Sequence, residues 1–101
     1  MKVKVENHIS GETSYWLWCP ACEEAHRLTN AWQFDGNLEL PTFSPSIMVV
    51  KPEGLAVSPR VIERCHSFVR WGRWEYLADC DHALAGKTIP VVDLPSWLAD
   101  A

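Results

Sequence analysis

The chain has 101 residues, among them four cysteines, six tryptophans, seven prolines and five glycines, and a formal charge of -4. That length supports one small core and not two, so a single domain over residues 1–101 is expected. Hydrophobic residues at 48% and charged residues at 22% exclude bulk disorder, and the negative balance excludes a general binder of nucleic acid. No apolar run reaches the roughly 20 residues of a membrane helix, and the first six residues lack the apolar block of a signal peptide. The expectation is a cytoplasmic protein with no membrane partner.

Prolines and glycines separate short apolar segments whose period is near two. This pattern predicts a mainly β fold, a small antiparallel sheet of hairpins with one or two short helices. Residues 2–6 alternate, which puts Val3 and Val5 on one face. Thr13–Cys19 is rich in aromatic residues and runs straight into a Cys-Pro turn. Trp32-Gln33-Phe34 and Leu38-Glu39-Leu40 flank Asp35-Gly36-Asn37, which predicts a hairpin between them. Residues 43–50 end in a β-prone run, but Pro41 and Pro45 have no amide hydrogen to give a neighbour, so this strand belongs at an edge or after a kink. Residues 51–59 read as the longest loop.

Residues 65–79 predict a second hairpin turning at Trp71-Gly72, with Arg70 opposite Arg73. Cys65, Ser67 and Val69 then oppose Ala78, Tyr76 and Trp74 on the drier face, with Cys80 diagonal to Cys65. His66, Phe68 and Arg70 take the other face. Residues 79–86 predict one or two helical turns between an Asp cap and Gly86. Residues 95–99 predict a short terminal helix that docks Trp97.

Cysteines in a cytosolic chain point to metal before disulfides. Cys19-Pro20-Ala21-Cys22 brings two thiolates to one ion, and Cys65 and Cys80 supply a second pair in the spacing C-x2-C-x42-C-x14-C. The reading is a zinc-stabilised domain in which Cys19, Cys22, Cys65 and Cys80 hold a structural ion, with His82 as the alternative fourth ligand. Iron is the alternative metal, although rubredoxins use two Cys-x-x-Cys turns and this chain has one. A thioredoxin-like dithiol fits poorly, because Glu23 and Glu24 raise a neighbouring thiol pKa instead of activating it. If Cys65 points at the metal from a strand, His66 points away.

Trp18-Cys19-Pro20-Ala21-Cys22 with His26, Trp32-Gln33-Phe34, Pro41-Thr42-Phe43-Ser44-Pro45-Ser46, Cys65-His66-Ser67-Phe68-Val69 and Asp79-Cys80-Asp81-His82-Ala83-Leu84-Ala85-Gly86 together resemble a family of small phage and prophage proteins. The resemblance runs from about Trp16 to about Val91. Its members often carry the label "ammonia monooxygenase", an activity that a chain of this size does not share with a membrane copper oxygenase. The resemblance implies a zinc-binding accessory protein made in a bacterial host cell. In that family the position of Cys80 can be serine while the position of His82 is histidine, which favours His82 as the fourth ligand.

Two functions follow from these residues. The first is a binding module with structural zinc, whose partner is a host or phage protein and whose effect is interference with host defence. Its anchor is Trp71 between Arg70 and Arg73, and with Arg60, Arg64 and Trp74 the same patch suits a nucleotide or RNA. An open edge near Pro45 would suit a homodimer. The second is a zinc-dependent hydrolase that uses His26, His66 and His82, with Asp79 and Asp81 nearby, around an open coordination position. The chain has neither H-E-x-x-H nor the deaminase pattern H-x-E with P-C-x-x-C, so the binding module is preferred and no catalytic residue is assigned, with His26, His66 and Asp79 as the alternative set.

Overall fold

Two antiparallel sheets form the computed structural model, which describes residues 1–50 and 64–101. The first sheet contains β1 (Lys4–Asn7), β2 (Thr13–Cys19) and β3 (Glu24–Thr29), hydrogen-bonded in that order. The aromatic run forms β2 with the bounds expected from the sequence. The Cys-Pro turn then closes a hairpin in which Cys19 pairs with Glu24 and Leu17 with His26. Val3 is buried just before β1, whereas Val5, opposite Tyr15, is 41% exposed on the outer strand.

The second sheet takes β4 (Gln33–Phe34), β5 (Phe43–Val50), β6 (Arg64–Arg70), β7 (Arg73–Tyr76) and β8 (Thr88–Pro90) in chain order. The β6–β7 hairpin has the expected register, with Arg70 opposite Arg73, Val69 opposite Trp74 and Ser67 opposite Tyr76. Trp71 and Gly72 make its turn at φ of 50° and 75°, the left-handed geometry that matches the twist of a two-residue hairpin. Gly72 is also closely approached: an added Cβ would lie 2.8 Å from Cδ2 and 2.9 Å from Cα of Leu40.

Two local expectations need correction. Residues 38–40 do not pair with β4; Phe34 pairs with Phe43 and Gln33 with Ser44. Side chains explain why, because Asp35 Oδ1 accepts the amides of Asn37 and Thr42, and Asn37 Oδ1 accepts those of Glu39 and Leu40. The donors a strand would use are already satisfied locally. Strand β5 lies between β4 and β6 in sheet order, but β4 pairs with it only at Phe43 and Ser44. The kink expected around Pro45 is present, as a register shift between Phe43 and Ile47. Finally, residues 79–86 form separate turns and no helix, with Cys80 bonded to the carbonyl of Leu77 and Ala85 to that of His82. His82 Nδ1 takes the Leu84 amide at 3.2 Å, a local bond that competes with helix propagation.

The sheets meet over an apolar layer. Leu17 and Leu28 of the first sheet are buried with Phe43, Ile47, Val69 and Trp74 of the second. Tyr15 contacts the rings of Phe34 and Phe43 at 5.2 and 5.5 Å, and Trp74 Nε1 donates across the interface to the Trp18 carbonyl at 3.2 Å. Each such buried side chain stabilises the fold by about 1.5–3 kcal/mol. The helix α1 (Ser96–Ala99) closes the chain, and Trp97 meets Trp18 edge-on at 6.3 Å while remaining 68% exposed. The loop reading for 51–59 and the patch residue Arg60 fall outside the described residues.

Candidate functional site

Side chains alternate across a strand, so β6 presents two chemistries on two faces. Cys65, Ser67 and Val69 face the core, whereas His66, Phe68 and Arg70 are partly exposed on the other side. Each face gathers a separate cluster.

On the inner face, one ligand atom each from Cys19, Cys22, His26 and Cys65 lies within 4.8 Å of every other. The sulfurs of Cys19 and Cys65 are 4.0 Å apart, too far for a disulfide and close to the roughly 3.8 Å between two sulfurs on a tetrahedral zinc. Three members come from the β2–β3 hairpin and the fourth from β6, so the cluster joins the two sheets. Among the described residues, His26 Nε2 is buried with no hydrogen-bond partner. Such a nitrogen is costly unless it has a ligand role, and an ion would satisfy it. The residues present therefore fit a metal.

The electrostatics agree. Hydrogen bonding from Cys22, then Cys65, holds the Cys19 thiol far below its ordinary value. The same bond to Cys19 pushes Cys22 up to about 12, and bonds to Cys19 and Cys22 push Cys65 upward as well. Without a cation the three sulfurs cannot all carry charge; a divalent ion removes that conflict. Around them, Tyr76 Oη lies 3.1 Å and the Cys22 amide 3.4 Å from the Cys19 sulfur, and His82 Nε2 lies 3.4 Å from that of Cys65. Outer hydrogen bonds of this kind orient ligands.

Cys80, expected as the fourth ligand, lies outside this group of four and belongs with Cys65 and His82 in a second one. Its sulfur accepts the His66 amide at 3.2 Å and its thiol donates to the His66 carbonyl at 3.1 Å. His26 completes the first group, while Cys80 and His82, the expected alternatives for the fourth ligand, share only Cys65 with it. The signal was available: two residues before Cys19 is Leu17, which pairs directly with His26, so a C-x2-C hairpin turn puts His26 and Cys19 on one face.

The outer face holds a chain of three polar side chains. His66 Nε2 is 3.2 Å from Ser46 Oγ, and His66 Nδ1 is 3.1 and 3.3 Å from the two oxygens of Asp79. Arg64 adds a contact at 3.9 Å to Asp79. The kink of β5 delivers Ser46: the regular ladder begins at Ile47 opposite Ser67 and Met48 opposite His66, and Ser46 precedes it. Trp32 Nε1 donates to the Ser46 carbonyl at 3.4 Å. A cleft of about 490 Å³ lined by Gln33, Phe34, Asp35, Thr42 and Ser44 adjoins the same stretch of β5. Sequence reasoning singled out His66 and Asp79 but missed Ser46, whose partner becomes visible only once β5 is laid beside β6.

His66 belongs to neither metal-ligating group among the described residues, so His26, His66 and His82 do not surround one ion. Trp71 is 72% exposed at the hairpin tip. Arg70 is engaged, 3.9 Å over the Phe68 ring and 3.3 Å from Glu75, and Arg73 is exposed opposite it.

No curated protein and no solved structure matches the chain. A family model described as "Bacterial ubiquitination-like system serine protease (BubE)" matches residues 2–77, a span that includes Ser46, His66 and the four inner ligands and stops two residues short of Asp79. With three quarters of its length covered by that match, the chain belongs to the BubE family of bacterial ubiquitination-like systems.

Proposed function

We propose that the chain is a serine peptidase in which Ser46 is the nucleophile, His66 the general base and Asp79 the group that orients His66. The observation that carries this reading is the continuous contact from Ser46 Oγ through both nitrogens of His66 to the Asp79 carboxylate. With Asp79 accepting from Nδ1–H, the free Nε2 lone pair faces the serine hydroxyl. Nε2 takes that proton as Oγ attacks a carbonyl, and returns it to the leaving amine; water then repeats the cycle to release the acyl group. The family description supports a protein substrate within a ubiquitination-like system. The cleft beside Ser44 would receive a substrate side chain, and the exposed Trp71 would contact the substrate's folded body.

The inner cluster is read as a structural zinc site of Cys19, Cys22, His26 and Cys65. Three thiolates and one imidazole suit zinc better than the four thiolates of an iron-sulfur centre of the rubredoxin type. The ion would supply folding free energy by holding the two sheets together. The protein's own residues on the far face of β6 perform the chemistry.

A fluorophosphonate probe tests the serine reading directly. Ser46 should label covalently, His66→Ala and Asp79→Asn should slow labelling, and Ser46→Ala should abolish it. Labelling that persists in the Ser46→Ala protein would overturn the assignment.

A further inference from the structure

We infer that Cys80 is a positioning residue for the base: its thiol clamps the peptide groups of His66 and so holds Asp79, the residue immediately before it in the chain, against the imidazole. The inference rests on the serine reading above. Strand β7 ends at Tyr76, and the Leu77 amide makes the following contact to the His66 carbonyl at 2.9 Å. Beyond this point a strand no longer lies beside β6, and Cys80 supplies the missing partner. Its sulfur accepts the His66 N–H at 3.2 Å while its S–H donates to the His66 carbonyl at 3.1 Å. Two bonds from one side chain to both sides of one residue fix the 77–81 turn against β6, and the Asp81 amide adds a third tie to the Arg64 carbonyl at 3.0 Å.

The consequence concerns tautomer as well as position. Asp79 is 43% exposed at its side chain and is not held by burial. Its place beside Nδ1 depends on the turn that carries it. While Asp79 accepts from Nδ1–H, Nε2 is free to act as base; if the turn drifts, the neutral ring can move its proton to Nε2 and lose that role. A shift on the order of 1 Å at such a contact costs up to about 100-fold in rate.

The test compares unmodified protein, Cys80→Ala and Cys80→Ser, each zinc-loaded. It reads three quantities: zinc content, the rate of fluorophosphonate labelling, and the His66 tautomer from ¹⁵N shifts of the ring nitrogens. Cys80→Ala is expected to keep its zinc, label about 10- to 100-fold more slowly and shift the ring toward the Nε2–H form. Cys80→Ser, whose hydroxyl also donates and accepts, is expected to keep most of the rate and the Nδ1–H form. Loss of zinc from Cys80→Ala would make Cys80 a metal ligand and overturn the inference, as would unchanged labelling and tautomer. If Cys80→Ala does not fold, Cys80→Ser decides: a folded serine variant with the wrong tautomer overturns the inference, and one with the Nδ1–H form supports it. Failure of the unmodified protein to label would end the serine reading, while the tautomer comparison would still decide whether Cys80 positions His66.

Discussion

The two faces of β6 differ in what holds their clusters together. Inside, Cys65 joins Cys19, Cys22 and His26 in a group that is buried, leaves His26 Nε2 without a hydrogen-bond partner among the described residues, and is electrostatically in conflict without a cation. Outside, His66 joins Ser46 and Asp79 in a group that is half open to solvent and complete in its hydrogen bonds. On the proposed function the inner set would be stabilised by an ion, and the outer set would move a proton. Adjacent residues of one strand can serve both ends because a strand turns successive side chains to opposite sides.

The comparison breaks first at its inner face. Cys65→Ala should lose the metal and, because structural zinc contributes on the order of 10 kcal/mol against a total stability of about 5–15, should leave the chain unfolded at 25 °C. Metal analysis beside circular dichroism checks this, and a folded, zinc-free protein would show that the sheets hold without the ion. Chelation of the unmodified protein should act in the same direction, with labelling of Ser46 lost together with the fold.

The outer face should fail without the inner one. Ser46→Ala should bind zinc and melt as before, within about 0.5 kcal/mol, yet lose roughly a thousandfold or more of any peptidase rate. Asp79→Asn should show a smaller rate loss of the same kind, because the wrong tautomer leaves the serine in place without its base. A coupled loss of zinc in either variant would contradict the separation of the two faces.

The hairpin beyond them gives the finer tests. Gly72→Ala should cost about 2 kcal/mol, since φ of 75° disfavours any side chain and the new Cβ would meet the Leu40 backbone at 2.9 Å; a chemical melt measures it. Arg70→Ala should change stability by less than about 1 kcal/mol, because its pair with Glu75 is partly exposed and solvent screens it. A larger loss would point to the packing of its guanidinium over Phe68.

Much of this was legible in residue order. The β pattern, the Arg70–Arg73 register, the burial of Cys65 beside Ser67 and Val69, and the outward turn of His66 all follow from alternation and turn chemistry. The failures share one cause. The pairing of β4 with Phe43 and Ser44, the turns at 79–86 and the hydrogen-bonding role of Cys80 each depend on a side chain finding a backbone group, which no hydropathy pattern records. The place of His26 beside Cys19 follows only from the β2–β3 pairing beyond the Cys19–Cys22 turn, whereas the sequence offered it as a member of the alternative hydrolase set.

The sequence by itself determined the period of the strands, the turn at Trp71-Gly72 and the supply of thiols, because these depend on neighbours within a few residues. Only the tertiary structure decided which side chains meet. Cys19 and Cys65 are 46 positions apart, and Ser46 and His66 are separated by 20. Long-range pairs of this kind are set by the order of strands in a sheet and by the packing of one sheet on another. The kink in β5 adds the last decision, since it selects which of its serines reaches the histidine.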